Sequence, residues 1–381
     1  MSKIPAFSPG ARAGLAFGGV LLALSIPAHA DTSLEISGRV SAGLDYVNGI
    51  DNTADGGGSS DDKFRGGGNQ WGTSLLDIKG SQDLSDLNDA LPDDLKAIFL
   101  LESGFDAMKG ELNGSALFNR RAYAGLSSQR YGTLVFGKNL SLSNNGWYID
   151  PFYQQFMGYE TLVRGRDWQG VDNMVQYTTP TYHGWNAEVQ IGFGGDTGSF
   201  NASRNDAVTL NYVGKIVELR AIYDVRRDDN AQYSDLFLYS REWILGGALH
   251  LGTVDLYAGY NGLSAPNGAE NADSTGYGYE RADHYWAGAH YWVTPRWRLQ
   301  GALYHINVDN DGGNATLYAL GTTYNFADNF FTYASVGTVS NSDAADFAVE
   351  ATDERPEDGH SQQAVYFGFV YSFKGDFSFP R

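Results

Sequence analysis

The sequence has no cysteine, few prolines and a shortage of basic residues. The 381 residues include 10 prolines, 26 Lys plus Arg and 45 Asp plus Glu, for a net charge of −19. Without cysteine, a disulfide scaffold, a CxxC redox site and thiolate zinc are excluded. The negative charge argues against nucleic acid as a partner, because a phosphate backbone attracts basic surfaces. No cofactor motif and no metal-ligand spacing is present.

Long apolar runs are also lacking, apart from a 14-residue stretch at 13–26. It follows Lys3 and Arg12 and precedes Ala28-His29-Ala30, which is the layout of a secretory signal peptide cleaved before Asp31. A retained anchor is the alternative, but a spanning helix needs about 20 residues. We therefore expect 1–30 to be removed, and since it carries two bases and no acids, the net charge changes from −19 to −21. The chain is expected to leave the cytoplasm.

Alternation of apolar and polar residues with a period of two fills the rest of the chain. In 34–46, one face carries Leu34, Ile36 and Leu44, and the other carries charged or small polar residues. Because successive strand side chains point to opposite faces, each such segment is a strand with one apolar and one polar face. Sixteen segments of this kind are present: 34–47, 70–81, 95–106, 118–128, 133–139, 172–180, 185–194, 206–213, 216–227, 241–250, 254–263, 283–293, 297–309, 315–326, 330–341 and 361–373.

The connections between these segments alternate in length. Short turns such as 129–132 and 181–184 alternate with glycine- and acid-rich loops, of which 140–171 is the longest. Many of the 53 aromatic residues stand at segment ends, as in two interfacial girdles. An even number of strands with short turns at one end and long loops at the other is typical of an outer-membrane β-barrel. The alternative, a secreted β-sandwich or β-helix, would normally divide sixteen strands between two domains.

Five short motifs, in order, make the chain similar to the general trimeric porins of Gram-negative bacteria. Residues 74–84 (SLLDIKGSQDL) resemble the family's S-R-x-G-x-K-G-S-E-D-L, and 95–105 (LKAIFLLESGF) resemble L-K-A-x-x-Q-x-E-x-x-F. Residues 117–125, 131–139 and 172–177 resemble the strands on either side of the family's constriction loop. The resemblance implies an all-β, 16-stranded antiparallel transmembrane barrel over 31–373, a homotrimer, and a third loop folded into the channel.

By position, the resemblance also implies which residues form the pore constriction. The inward loop would be 140–171, and its charged residues are Asp150, Glu160, Arg164, Arg166 and Asp167. The basic residues on the opposing wall would be Arg39, Lys79, Arg120, Arg121 and Lys138. Strand parity puts Arg39, Lys79 and Arg121 in the lumen and leaves Arg120 on the wrong face or at a rim. A charge facing mid-bilayer lipid costs roughly 2–4 kcal/mol.

The sequence departs from the family pattern in several places. Leu75 stands where the family has a wall Arg, Asp77 replaces a Gly, and Leu100 replaces a Gln. These changes remove a base and add an acid, so a strongly anion-selective constriction is not expected. The chain also continues past Phe373 with 374–381, a short C-terminal extension, where such porins usually end on an aromatic residue.

The function that this pattern favours is passive diffusion of small hydrophilic solutes and ions through a water-filled channel, with no cofactor. The negative net charge, Asp77 and the missing wall Arg lead us to expect a weak cation preference. Expected partners are two further copies of the chain, outer-membrane lipid and lipopolysaccharide, and the barrel-assembly machinery through the last strand. The alternatives are a channel specific for a sugar, phosphate or carboxylate, and a barrel enzyme, for which the histidines form no nucleophile motif.

Overall fold

The computed structural model describes residues 32–51, 60–84, 91–153, 155–271, 278–351 and 354–379. The predicted signal peptide at 1–30 lies outside these residues. Strands dominate the described chain. Their bounds are β1 (Thr32–Asp51), β2 (Ser60–Gly68), β3 (Ser74–Asp83), β4 (Lys96–Asp106), β5 (Glu111–Leu112), β6 (Arg121–Ser128), β7 (Gly132–Leu140), β8 (Gly170–Thr178), β9 (Trp185–Gly192), β10 (Asn205–Val213), β11 (Val217–Arg226), β12 (Arg241–His250), β13 (Val254–Ser264), β14 (Arg281–Thr294), β15 (Trp297–Val308), β16 (Asn314–Ala327), β17 (Phe330–Asn341) and β18 (Gln362–Phe379).

The strands form one closed antiparallel sheet. Each wall strand pairs with its neighbour along the chain, and β1 pairs with β18 from Thr32 opposite Phe379 to Val47 opposite Ala364. All sixteen predicted segments are wall strands, so the predicted 16-stranded barrel is confirmed. Closure leaves no free edge in the sixteen-stranded wall, which is what a lipid environment requires of a backbone.

Alternation along each strand separates an outer apolar face from an inner face. On β12, Trp243 and Leu245 are exposed on the outside, whereas Glu242 and Ile244 are buried inside. Rings gather at the short-turn end of the wall: Phe330 stacks on Phe326 and Phe369 with centroids 5.6 and 5.9 Å apart. This outer surface is the lipid-facing surface of the barrel. The mean hydropathy of the whole chain is low, −0.33, because it averages an apolar outer face with a polar inner face.

Two pairings were absent from the sequence prediction. β2 lies within the predicted loop 48–69 and pairs with the C-terminal part of β1, whereas β3 pairs with the N-terminal part. β2 and β3 therefore lie one after the other along the same side of β1. β5 is a two-residue addition to β4. Neither has apolar alternation, since SDDKFRGGG consists of polar residues and glycine apart from Phe64, and β5 has only two residues. β18 also continues past Phe373 to Phe379, opposite the first residues of β1.

Helical structure among the described residues is confined to short helices in loops. The inward loop contains the 3-10 helices Leu142–Ile149 and Arg166–Trp168 and the α-helix Tyr159–Leu162, and a third 3-10 helix covers Ala269–Asn271. None of the helices in the described ranges has the length and apolar character needed to cross a membrane. At the end of the barrel opposite the long loops, the turns are tight. Gly184 lies in one of them with φ of +86°, and a Cβ there would lie 2.7 Å from the carbonyl oxygen of Val213.

Candidate functional site between the inward loop and the barrel wall

The loop 140–171 folds into the barrel because its own apolar side chains find partners on the inner wall. Ile149, Phe152, Met157 and Leu162 are almost completely buried, in one cluster with inward wall residues of β11 to β18. Glycines on the wall make room for them. A Cβ on Gly246, for example, would lie 2.7 Å from Ile149 Cδ1. Close packing of this kind fixes where the loop can lie.

Hydrogen bonds hold the first half of the loop against β14 and β15. Asp150 accepts from the Tyr304 hydroxyl at 2.6 Å and from the backbone N–H of Phe152 at 3.1 Å. Trp286 Nε1 donates to the carbonyl of Ile149 at 2.9 Å, and His290 Nε2 lies 2.6 Å from the carbonyl oxygen of Pro151. Asp150 therefore orders the loop and is completely buried.

The second half of the loop is held by a buried guanidinium. Arg166 is 0% exposed, and its Nη1 donates to Glu242 at 2.5 Å and its Nη2 to Asp224 at 3.0 Å. Its Nε donates to Ser240 Oγ at 2.8 Å, and Asp167 Oδ1 lies 3.3 Å from Nη1. Burial lowers the pKa of Arg166, but Glu242, Asp224 and Asp167 outweigh it, so the net shift is upward and the group stays charged.

Glu160 lies beside this cluster, in surroundings that disfavour its charged form. Its carboxylate accepts from the backbone N–H of Asp167 at 3.2 Å. Complete burial, and then the nearby charge of Asp167, raise the pKa of Glu160 well above its ordinary value. A neutral Glu160 is the form that this packing favours.

The structure does not bring the loop charges to the open lumen. Asp150, Glu160, Arg166 and Asp167 are turned into the packing between loop and wall. Arg164 donates to Asp346 at 2.6 Å and lies 4.7 Å from the ring centre of Phe347, in the outer part of the barrel. Asp150, Arg164 and Arg166 attach the loop to residues distant in sequence, whereas Glu160 contacts Asp167 within the loop itself.

A cavity of about 700 Å³ remains between the loop and the opposite wall. Its charged lining comes from the wall side, and most of its aromatic lining comes from the loop. The lining residues are Arg39, Asn69, Trp71, Gly72, Thr73, Leu75, Asp77, Glu102, Arg120, Arg121, Leu140, Asn144, Asn145, Trp147, Tyr148, Tyr153, Phe156, Trp168 and Arg298.

Three predicted wall bases meet at this cavity. Arg120 Nε donates to Glu102 Oε1 at 2.6 Å and Arg121 Nη1 to Glu102 Oε2 at 3.4 Å. Arg39 donates twice to the carbonyl of Thr73, at 3.1 and 2.8 Å. Arg120 reaches the cavity despite its unfavourable parity because it precedes the first residue of β6, where the pleat does not constrain its direction.

The other two predicted bases do not line this cavity. Lys79 has inward parity but pairs with Glu35 at 3.3 Å and lies 3.7 Å from Asp77. Lys138 pairs with Asp172 at 2.5 Å and stands where the register of β7 shifts, so strand parity could not give its direction.

Two of the three departures from the family pattern, Leu75 and Asp77, line the cavity. Leu100 has the same inward parity as Glu102 and is buried without lining the cavity.

Sequence reasoning missed Glu102, Arg298 and the aromatic lining. Glu102 shares parity with Leu100 on β4, and Arg298 shares parity with Tyr304 on β15, so strand alternation alone could have identified both. Arg298 donates to neutral acceptors, the Tyr153 hydroxyl at 3.2 Å and Gln300 Oε1 at 2.9 Å. The loop rings could not be assigned, because only the path of the loop decides which of them face the lumen.

The charge of the cavity is positive. Four arginines line it, against the carboxylates of Asp77 and Glu102. Within the described ranges, no cluster of three or more His, Cys, Asp or Glu side chains is arranged to hold a metal ion.

Comparison with known proteins gives consistent matches. A model of the Gram-negative porin family matches residues 16–344. An outer membrane porin protein of Bordetella pertussis is 33% identical over 199 residues. That alignment covers 49% of this chain, and the chain spans only about half (48%) of the length of that relative.

Solved structures share the fold. The anion-selective porin from Comamonas acidovorans superposes with a TM-score of 0.72 at 19% identity, covering 90% of this chain and 100% of that one. OmpT, an outer membrane protein of Vibrio cholerae, gives a TM-score of 0.61 at 14% identity over 90% of this chain and 98% of that one. At these identities the likeness establishes the barrel architecture.

Proposed function

We propose, since the chain belongs to the Gram-negative porin family, that it forms a water-filled channel through which small hydrophilic solutes and ions diffuse passively. The family places the chain in the outer membrane. The observation that carries the proposal is the cavity of about 700 Å³ inside the closed wall. A second cavity of about 390 Å³ shares Asn69, Thr73, Phe156 and Trp168 with the first, which supports a path towards the long-loop end.

Diffusion through such a channel needs neither an energy source nor a cofactor. Polar groups of the wall replace part of the hydration of a passing solute, and fixed charges bias which solutes enter. Family and fold indicate a channel rather than an enzyme.

For selectivity we propose a weak anion preference. The cation preference predicted from the sequence rested on the net charge, on Asp77 and on the missing wall Arg. Most of the acidic excess, however, lies in loops, where charges beyond about 8–10 Å are screened. The cavity lining has four arginines and two carboxylates, and it gives no support to a cation preference. The name of the Comamonas acidovorans neighbour describes that protein as anion-selective.

We propose a homotrimer, since one OmpT structure of similar fold is described as a trimer form. Lipopolysaccharide contact through the acidic outer loops and recognition of β18 by the assembly machinery are also proposals. So are the cleaved segment 1–30, the barrel unit 31–373 and the extension 374–381. The pairing of β18 with β1 up to Phe379 supports a recognition segment that includes the extension.

Purified protein in a planar bilayer tests these proposals. Current steps that occur in groups of three support a trimer of open channels, and absence of conductance would refute the channel itself. In a tenfold KCl gradient, the reversal potential should have the sign of an anion-preferring pore. A clear cation-selective potential would refute the proposed preference and restore the expectation from net charge.

A further inference from the structure

The cavity brings together two kinds of side chain that a simple diffusion pore does not need. Guanidinium groups stand on the wall strands, whereas rings project from the inward loop. Trp147 is 38% exposed and Tyr148 is 42% exposed, although both lie inside the barrel. Large rings that face a wet lumen lose the stabilisation that burial would give them. A solute that covers the rings would bury them and restore this stabilisation.

The arginines are arranged to capture an anion. Arg121 makes one long hydrogen bond, 3.4 Å to Glu102, and its side chain is 35% exposed. Glu102 is already paired with Arg120 at 2.6 Å. A planar guanidinium with several N–H groups in one fork matches the two oxygens of a carboxylate. Arg121 is therefore the most accessible anion contact of the four.

Ring and guanidinium also lie next to each other at two points of the lining. Arg39 lies 5.3 Å from the ring centre of Trp71, and Arg298 lies 5.0 Å from that of Tyr153. Trp71 and Arg39 belong to the wall, and Tyr153 to the loop, so the mixed surface surrounds the lumen. Such a surface suits a solute with a flat apolar part and a negative group.

We infer that this cavity is a binding site for small carboxylate anions that carry an aromatic ring. The carboxylate contacts the arginines of the wall and the ring packs on the aromatic side chains of the loop. The inference rests on the proposed channel function and names its preferred solute class. Binding is transient, since a solute must also leave for transport to continue.

Blocking of single-channel current in KCl at neutral pH tests the inference with three probes of similar size. Benzoate has the ring and the charge, cyclohexanecarboxylate has the charge without the aromatic ring, and benzamide has the ring without the charge. Benzoate should half-block at about two- to tenfold lower concentration than cyclohexanecarboxylate, the range expected for one aromatic contact. Benzamide should be weaker than both.

Variants identify the contacts. Arg121→Gln should weaken block by both carboxylates and leave that by benzamide unchanged. Trp147→Leu should abolish the preference for benzoate over cyclohexanecarboxylate. The matched control is Trp243→Leu, because Trp243 is exposed on the outer, lipid-facing side of β12. It should change none of the three values.

Different results would refute the channel and the binding site. Absence of conductance in KCl would refute the channel. Normal conductance with equal block by the three probes would overturn the binding site and leave a channel without solute preference. Equal block by the two carboxylates, with benzamide inactive, would reduce the site to a general anion filter and would also overturn the inference.

Discussion

Removal of the Arg166 side chain is the sharpest test of how the inward loop is held. Arg166 is completely buried and pairs with Glu242, Asp224 and Asp167. Arg166→Met keeps most of the side-chain volume but leaves these carboxylates without their main counter-charge. Breaking a buried ion pair on one side costs about 3–5 kcal/mol, because the remaining charges stay buried and uncompensated.

This loss of free energy weakens the attachment of the loop to the wall, so the assay should measure how often the loop opens. Arg164 stays in the variant as a trypsin site, and in the parent it is held against Asp346 inside the barrel. When opening and reclosing are fast relative to cleavage, the cleavage rate follows the open population. A loss of 3–5 kcal/mol then raises the rate of cleavage after Arg164 by roughly a hundredfold to several thousandfold.

A second variant and a control make the reasoning refutable. Adding Glu242→Gln to Arg166→Met removes one of the stranded acids and should recover part of the protection. Arg227→Met is the control, because Asp206 keeps Arg204 as a partner at 2.8 Å when Arg227 is removed. A cleavage rate in Arg166→Met within twofold of the control would show that the buried cluster does not hold the loop.

Three further predictions concern pH, packing and charge. The raised pKa of Glu160 means that its stabilising contribution is complete below the unfolded value of 4.5 and is lost as the pH rises through the folded value. Tryptic opening of the loop should therefore increase with pH in the parent, and in Glu160→Gln this increase should be smaller; equal pH dependence would contradict it. Gly337→Val adds atoms against Met157, so we expect the loop to move into the lumen and the single-channel conductance to fall. Adding Met157→Ala should recover part of the conductance. Unchanged conductance in Gly337→Val would argue against tight packing between Gly337 and Met157. Arg298→Gln removes one of four lining arginines and should shift the reversal potential towards cations, and a shift towards anions would be inconsistent with the proposed preference.

The wall of this protein was predictable from its sequence because two solvents act on every strand. Lipid selects apolar side chains outside and water allows polar ones inside, so alternation marked all sixteen wall strands. β2 was missed because Ser60–Gly68 is polar and glycine-rich and has no apolar alternation to detect. The same rule assigned Arg39 and Arg121 to the inner face, and both line the cavity.

The loop was not predictable at the level of side chains. Its five charged residues were expected to face the pore by family resemblance, yet Arg166 pairs with residues 58 and 76 positions later in the chain. Parity does not apply to a loop, and partners at such distances leave no local pattern. Lys138 shows the same limit on a smaller scale, since a register shift removes the alternation that would orient it.

The pairing of the two chain ends has a consequence for the order of assembly. β1 obtains one of its two neighbours only from Gln362–Phe379, the last described residues. Most partners of the inward loop, from Ile222 to Val370, also follow it in the chain. The first half of the chain therefore has neither a closed wall nor most of the surface that the loop packs on. The narrowing of the channel therefore depends on strands that lie late in the chain, and a chain truncated before β18 would keep open sheet edges at β1 and β17.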